Sequence, residues 1–119
     1  MIPTTVYPAL KNYAPLNALV NGRIVRDFAG DAPAAPYVVW SILATVPSDH
    51  LSGRPRADRY SVSIDVLANS AEQSDDVLVA ARDAMEAIGD MTSGPQSLGR
   101  DSQTKLWRYT FTVDVFKNR

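Results

Sequence analysis

The stretch YSVSIDVLANSAEQSDDVLVAARDAMEAI, residues 60–88, decides the fold, because its hydrophobic period changes once, at a helix-start signal. Tyr60, Val62, Ile64, Val66 and Ala68 alternate with Ser61, Ser63 and Asp65. That alternation predicts a strand over about residues 58–68 with one apolar and one polar face. Ser70, followed three residues later by Gln73, predicts a capping box. Glu72, Asp75 and Asp76 suit the positive end of the helix dipole that would follow. Val77, Ala81, Ala84, Met85 and Ile88 then recur at helical spacing, with Gly89 as the stop, while Asp75, Asp76, Arg82, Asp83 and Glu86 share the opposite face.

Downstream, Gly94-Pro95 predicts a turn and residues 96–103 read as a strand. Residues 105–117 give the clearest strand, with Trp107, Tyr109, Phe111, Val113 and Val115 on a buried face and Arg108, Thr110, Thr112 and Asp114 on the other. Upstream, residues 37–46 are β-branched and aromatic, and both of their faces are partly apolar, which predicts a central strand or one covered on both sides. The polar, proline- and glycine-punctuated segment 47–56 reads as a loop. Pro8 and Pro15 divide the N-terminal region into short helical pieces over about 3–12 and 15–20, and Asn21-Gly22 ends the second by offering left-handed backbone. Residues 23–26 suit a short strand, and prolines keep 29–36 an extended loop. The sum is an α+β fold: one domain over residues 1–119, a mostly antiparallel sheet of about four strands, a long helix on one face, and a short helical N-terminus.

A chain of 119 residues and 13.0 kDa hides about two thirds of its extended surface on folding, enough for a core without staples. The absence of cysteine excludes disulfides, thiolate zinc sites and thiol catalysis. No apolar run approaches the roughly 20 residues that span a bilayer, and the first residues lack the pattern of a secretory signal. The net charge of −1 hides a segregation: residues 1–59 sum to +2, residues 60–90 to −6 and residues 91–119 to +3. Opposed patches of this kind favour oriented contacts between proteins. A solvated acidic helix face beside ordinary loops accounts for the same numbers.

The chain offers little to chemistry. Ser48, Asp49 and His50 are adjacent, so their side chains diverge and cannot form a hydrolytic triad; a solvated loop histidine is the expectation. Asp75 and Asp76 are about 100° apart on a helix and cannot share a metal without help. Gly89 and Gly94 belong to no phosphate-binding motif. The expectation is therefore no enzyme, no cofactor and no metal. Arg54, Arg56 and Arg59, near His50, form the best basic patch, suited to an acidic protein surface or to phosphate. The loop has no interleaved aromatic residues for base stacking.

Taken together, residues 16–24 (LNALVNGRI), 35–40 (APYVVW), 51–53 (LSG), 62–66 (VSIDV), the capped helix 71–88 and the final strand with Arg108 and Asp114 resemble the small tail-completion, or tail-terminator, proteins of long-tailed bacteriophages. The likeness rests on order and spacing along nearly the whole chain. It departs from the family pattern at Ser63, where glutamine is common, at Leu67, where an aromatic residue is common, and in the arginine content of 47–59. The resemblance implies a non-catalytic virion protein made in the host cytoplasm, which forms a ring, usually a hexamer. Such a ring caps the head-proximal end of the tail tube, ends tube growth and joins the tail to the head. Its implied partners are copies of itself, the major tail tube protein and the head connector or stopper, with DNA passing through the lumen unrecognised and no membrane involved. Within that picture, Arg54, Arg56 and Arg59 are candidates to meet Asp75, Asp76, Asp83 and Glu86 of a neighbour. A head-completion or connector protein is the nearest alternative, and a small nucleic-acid-binding module using the basic loop is another.

Overall fold

The computed structural model describes residues 6–27, 35–50, 53–102 and 105–118, and within these the side chains at 46–50, 53–58, 93 and 116–118 are left aside. The elements are α1 (Val6–Lys11), α2 (Ala14–Val20), β1 (Ile24–Arg26), β2 (Tyr37–His50), β3 (Gly53–Ala68), α3 (Ala71–Glu86), β4 (Gly89–Arg100) and β5 (Trp107–Asn118). The strands form one sheet in the order β1-β2-β3-β5-β4. The expected α+β architecture, long helix and helical N-terminus are present. Two features of the sheet differ from expectation: it has five described strands rather than four, and it is mixed, because β1 pairs with β2 in parallel through Ile24↔Val38, Val25↔Val39 and Arg26↔Trp40.

The helix-start signal works as the sequence requires. The Ser70 hydroxyl accepts from the Gln73 amide at 3.1 Å, and Gln73 Oε1 in turn accepts from the Asn69 amide at 2.8 Å, so two otherwise orphaned donors are satisfied. Ser70→Ala is expected to lower stability by about 1 kcal/mol in urea melts, and an unchanged midpoint would deny the cap a role. At the other end of the helical N-terminus, Asn21 (φ 52°) caps α2 in left-handed conformation and Gly22 (φ 76°) follows it.

α3 lays Val77, Leu78, Ala81, Ala84 and Met85 on the face of the sheet that carries Tyr60, Val62, Ile64, Val66, Phe111 and Val113, and α1 and α2 pack beside it through Val6, Leu10, Leu16 and Val20. The core therefore lies between one sheet face and a layer of three helices.

The other differences lie at strand ends. The segment expected as a loop over 47–56 is mostly strand: β2 and β3 continue their pairing through Pro47↔Asp58, Ser48↔Ala57 and His50↔Gly53. Pro47 is tolerated because β1 covers only 38–40, leaving β2 an edge strand there, and Pro55 lies beyond Ala57, where pairing with β5 ends. Likewise β4 begins at Gly89, and Gly94-Pro95 sits inside it, absorbed by a register shift between Ser93 and Gln96. An outer strand accepts both residues because its free edge needs no donors, and such irregularity discourages stray pairing. At about 3.3 Å per residue the 16-residue β3 runs roughly 50 Å, which gives the molecule its long axis of 52 × 27 × 26 Å.

Candidate functional site

The side chains singled out by the sequence fall on different surfaces. Asp76, Asp83 and Glu86 stand exposed on the outer side of α3, with Glu72 at its start and Val79, 48 % exposed, in the middle of the stripe. Arg82 Nε lies 3.9 Å from Glu86 Oε1, one turn away. Asp75 is exposed but committed within the chain: it accepts from the Tyr109 hydroxyl at 2.7 Å, tying α3 to β5. That bond, with some burial and the Asp75 charge, holds the Tyr109 hydroxyl above its ordinary value of 10.0. A raised folded value means the bond contributes fully below about pH 10 and is lost as the pH rises through the folded value.

Arg59 is on β3 and faces the side of the sheet that no helix covers. Its Nε lies 3.6 Å from Asp114 Oδ2 on β5, an ion pair rather than a hydrogen bond, and Asp114 also accepts from the Ser61 hydroxyl at 3.1 Å. The side chains of Arg54, Arg56 and His50 lie outside the described residues, although their backbones belong to the long hairpin. The structure thus places Arg59 on a sheet face and the α3 carboxylates on the helix layer, and does not join them within one chain.

The sequence puts Asp65, Arg108 and Asp114 on the polar strand faces but does not show how they pair. Arg108 Nη2 lies 2.9 Å from Asp65 Oδ2, a second bridge between β5 and β3, and serines and threonines occupy much of the face between the two ion pairs. The signal was present in the alternation of both strands, but matching Arg108 to Asp65 needs the register, which pairs Leu67 with Arg108 and Asp65 with Thr110. At one end of this face Asp101 and Leu106, on either side of the link between β4 and β5, come up against β2 and β3. There Tyr37, Val39, Leu67 and Leu106 line a cavity of about 260 Å³, with Asp65, Asp101 and Arg108 supplying its polar part. Tyr37 and Val39 are only 3 % and 8 % exposed, which accounts for the apolar second face expected of β2. Burial pushes the Tyr37 hydroxyl above 10.0, partly offset by the Arg108 charge.

Among the described residues no group of three His, Cys, Asp or Glu side chains is placed to hold a metal ion, and no helix is long and apolar enough to cross a membrane.

This arrangement, a helix layer on one side of the sheet and a paired-charge, hydroxyl-bearing face on the other, is similar in fold to solved virion and phage proteins. It is similar to a chain from the virion of a native gene transfer agent particle, with a TM-score of 0.67 and 19% identity over 96% of this chain and 92% of that one. It is also similar to the gp17 protein of bacteriophage SPP1, with a TM-score of 0.57 and 15% identity over 96% of this chain and 86% of that one. No curated protein matches the sequence. The family model described as tail completion protein gp17 matches residues 4–117, and the chain belongs to that family of bacteriophage tail proteins.

Proposed function

We propose that this chain is a virion subunit that assembles as a ring, usually six-membered in proteins it resembles, on the head-proximal end of the tail tube. There it stops tube growth and presents a docking surface to the head connector, with DNA passing through its lumen. The observation that carries the reading is the pair of unlike faces on a tail-completion subunit: an acidic helix layer and, opposite it, a sheet face whose arginines are matched to carboxylates. A head-to-tail ring needs two such surfaces on each subunit, because the patch that gives a contact differs from the patch that receives it. Its work is contact rather than catalysis, and it requires no cofactor.

In this reading Arg54, Arg56 and Arg59 of the hairpin meet Asp75, Asp76, Asp83 and Glu86 across a subunit or ring boundary. Asp76, Asp83 and Glu86 are exposed and suited to that contact, while Arg59 and Asp75 already hold partners in their own chain. The same commitments of Arg59 and Arg108 weigh against the nucleic-acid-binding alternative, since phosphate would have to displace carboxylates.

The test is electron microscopy of particles assembled without this protein. Overlong or unjoined tails are the expected result; normal tails beside filled heads that leak their DNA would instead assign the chain to head completion.

A further inference from the structure

Five large apolar side chains are exposed among the described residues, three on the helix layer (Tyr7, Leu19 and Val79) and two on the sheet. The two on the sheet are Leu43, 62 % exposed, and Leu98, 47 % exposed. They share a local setting. Leu43 is the extra residue of β2 where its ladder with β3 steps from Ile42↔Val62 to Ala44↔Ser61. Leu98 is the extra residue of β4 where its ladder with β5 steps from Ser97↔Tyr109 to Gly99↔Arg108. A bulge of this kind leaves one residue out of the pairing and re-aims its side chain. The two bulges lie on opposite free edges. β4 ends the sheet on one side; on the other, β1 pairs with β2 only at 38–40, so among the described residues no strand flanks β2 beyond Trp40. Both edges also lack charge: residues 41–46 and 91–99 contain no Asp, Glu, Lys or Arg, in a chain of which 21% is charged.

We propose that Leu43 of one copy packs against Leu98 of the next, so that the ring is joined sheet edge to sheet edge. Three observations name that occupant. An uncharged edge selects an uncharged partner, because a charged group laid on it loses hydration without gaining a counter-ion. That sets aside the acidic face of α3 around Val79 and the ion-paired part of the uncovered sheet face. Leu19 is on the uncharged α2, but it belongs to the helix layer and not to an edge. Secondly, the two edges are unlike and stand on opposite sides of one sheet, as a head-to-tail contact requires, whereas an edge that meets its own twin closes a two-fold pair. Thirdly, the stagger suits closure. Through the registers, Leu43 lies level with Ser61 and Val62 of β3 and Leu98 with Val66 and Leu67, an offset of about 17 Å along the strands. Three inter-strand spacings separate β2 from β4, and with a junction of roughly 5–10 Å the repeat across the strands is about 19–24 Å. Those two lengths incline the strands by about 35–42° to the ring axis, within the roughly 35–45° at which closed sheets stand. Pro95 and the register shifts keep β4 from offering a continuous ladder, so side chains make the joint.

This contact rests on the ring reading, and the cysteine-free sequence lets the two be tested apart. Light scattering of the free chain and electron microscopy of the chain on purified tail tubes establish whether it assembles with itself. Leu43→Cys and Leu98→Cys chains, each shown by circular dichroism to be folded, are mixed in the assembling state and treated with a short bis-maleimide, which bridges thiols too far apart for a disulfide. Linked dimers are expected on a denaturing gel from the mixture and from neither chain alone. A chain carrying both substitutions is expected to give a ladder of linked oligomers. Leu98→Arg is expected to weaken assembly at least tenfold, with Leu98→Met close to the unaltered chain. Linkage within either single-cysteine chain would reveal a two-fold pair and overturn the contact. Assembly without linkage in the mixture, or linkage of Leu43→Cys to Leu19→Cys in its place, overturns the contact and leaves the ring standing. A chain that never assembles with itself overturns both.

Discussion

Gly89→Ala is expected to lower the stability of the chain by about 3 kcal/mol, the upper part of the range for forcing an extra group into a packed site. A Cβ at residue 89 would overlap the Asp114 carbonyl and lie 2.8 Å from Val113 Cγ1. The obstacle is space rather than backbone conformation, and the nearest atom belongs to the main chain of β5, which cannot turn aside as a side chain can. Relief would require lifting the start of β4 away from β5 and giving up the pairs Gly89↔Val115 and Asp90↔Asp114. For a chain of this size such a loss corresponds to a fall in Tm of about 10–15 °C. Gly94→Ala is the control: nothing lies within 4 Å of its Cβ position, so a change within about 0.5 kcal/mol is expected. A Gly89→Ala chain that melts with the unaltered one would show that β4 is loosely held at this point.

That close approach gives Gly89 a different role from the helix stop that the sequence suggests. Gly89 ends the helical pattern in the sequence, as expected, but α3 has already stopped at Glu86, and the glycine serves the strand instead. Where an element is held by burying one face, its residues announce it: α3 by its cap and its 3.6-residue period, β3 and β5 by alternation. Most of β4 has no buried face, so its periodicity carries no signal, and Gly94-Pro95 imitates a turn; in the outer hairpin, Pro47 and Pro55 imitate a loop in the same way. These segments are strands because a neighbour pairs with them, a fact that lies in the partner's sequence as much as in their own. The same division applies to the candidate site. The acidic stripe Asp76, Asp83 and Glu86 follows from helical geometry alone, whereas Arg59–Asp114, Arg108–Asp65 and Tyr109–Asp75 depend on register or on helix placement. The cavity beside Tyr37 depends on where Asp101 and Leu106 come to lie against β2 and β3, which no local pattern encodes.

Arg59→Ala is expected to cost about 2 kcal/mol, more than an ordinary surface pair and less than a fully buried one. Asp114 is 9 % exposed and keeps the Ser61 hydroxyl as a hydrogen-bond donor once the guanidinium is gone, while Asp90 stands directly opposite it in the β4–β5 register and adds a like charge. The Arg59 side chain is itself 42 % exposed, so solvent screens part of the pair and holds the loss below the 3–5 kcal/mol of a deeply buried bridge. Asp114→Asn in the Arg59→Ala background is expected to recover most of the loss by removing the unpaired charge, a coupling that a double-mutant cycle in urea reads directly. Failure of that recovery would mean that Arg59 contributes packing rather than charge. The consequence reaches assembly, because a variant lacking Arg54, Arg56 and Arg59 together loses a brace between β3 and β5 along with any contact to a neighbour. Removing Arg54 and Arg56 while keeping Arg59 leaves that brace in place, so a loss of ring formation in the double variant, with an unchanged melt, reports on contact between subunits and not on folding.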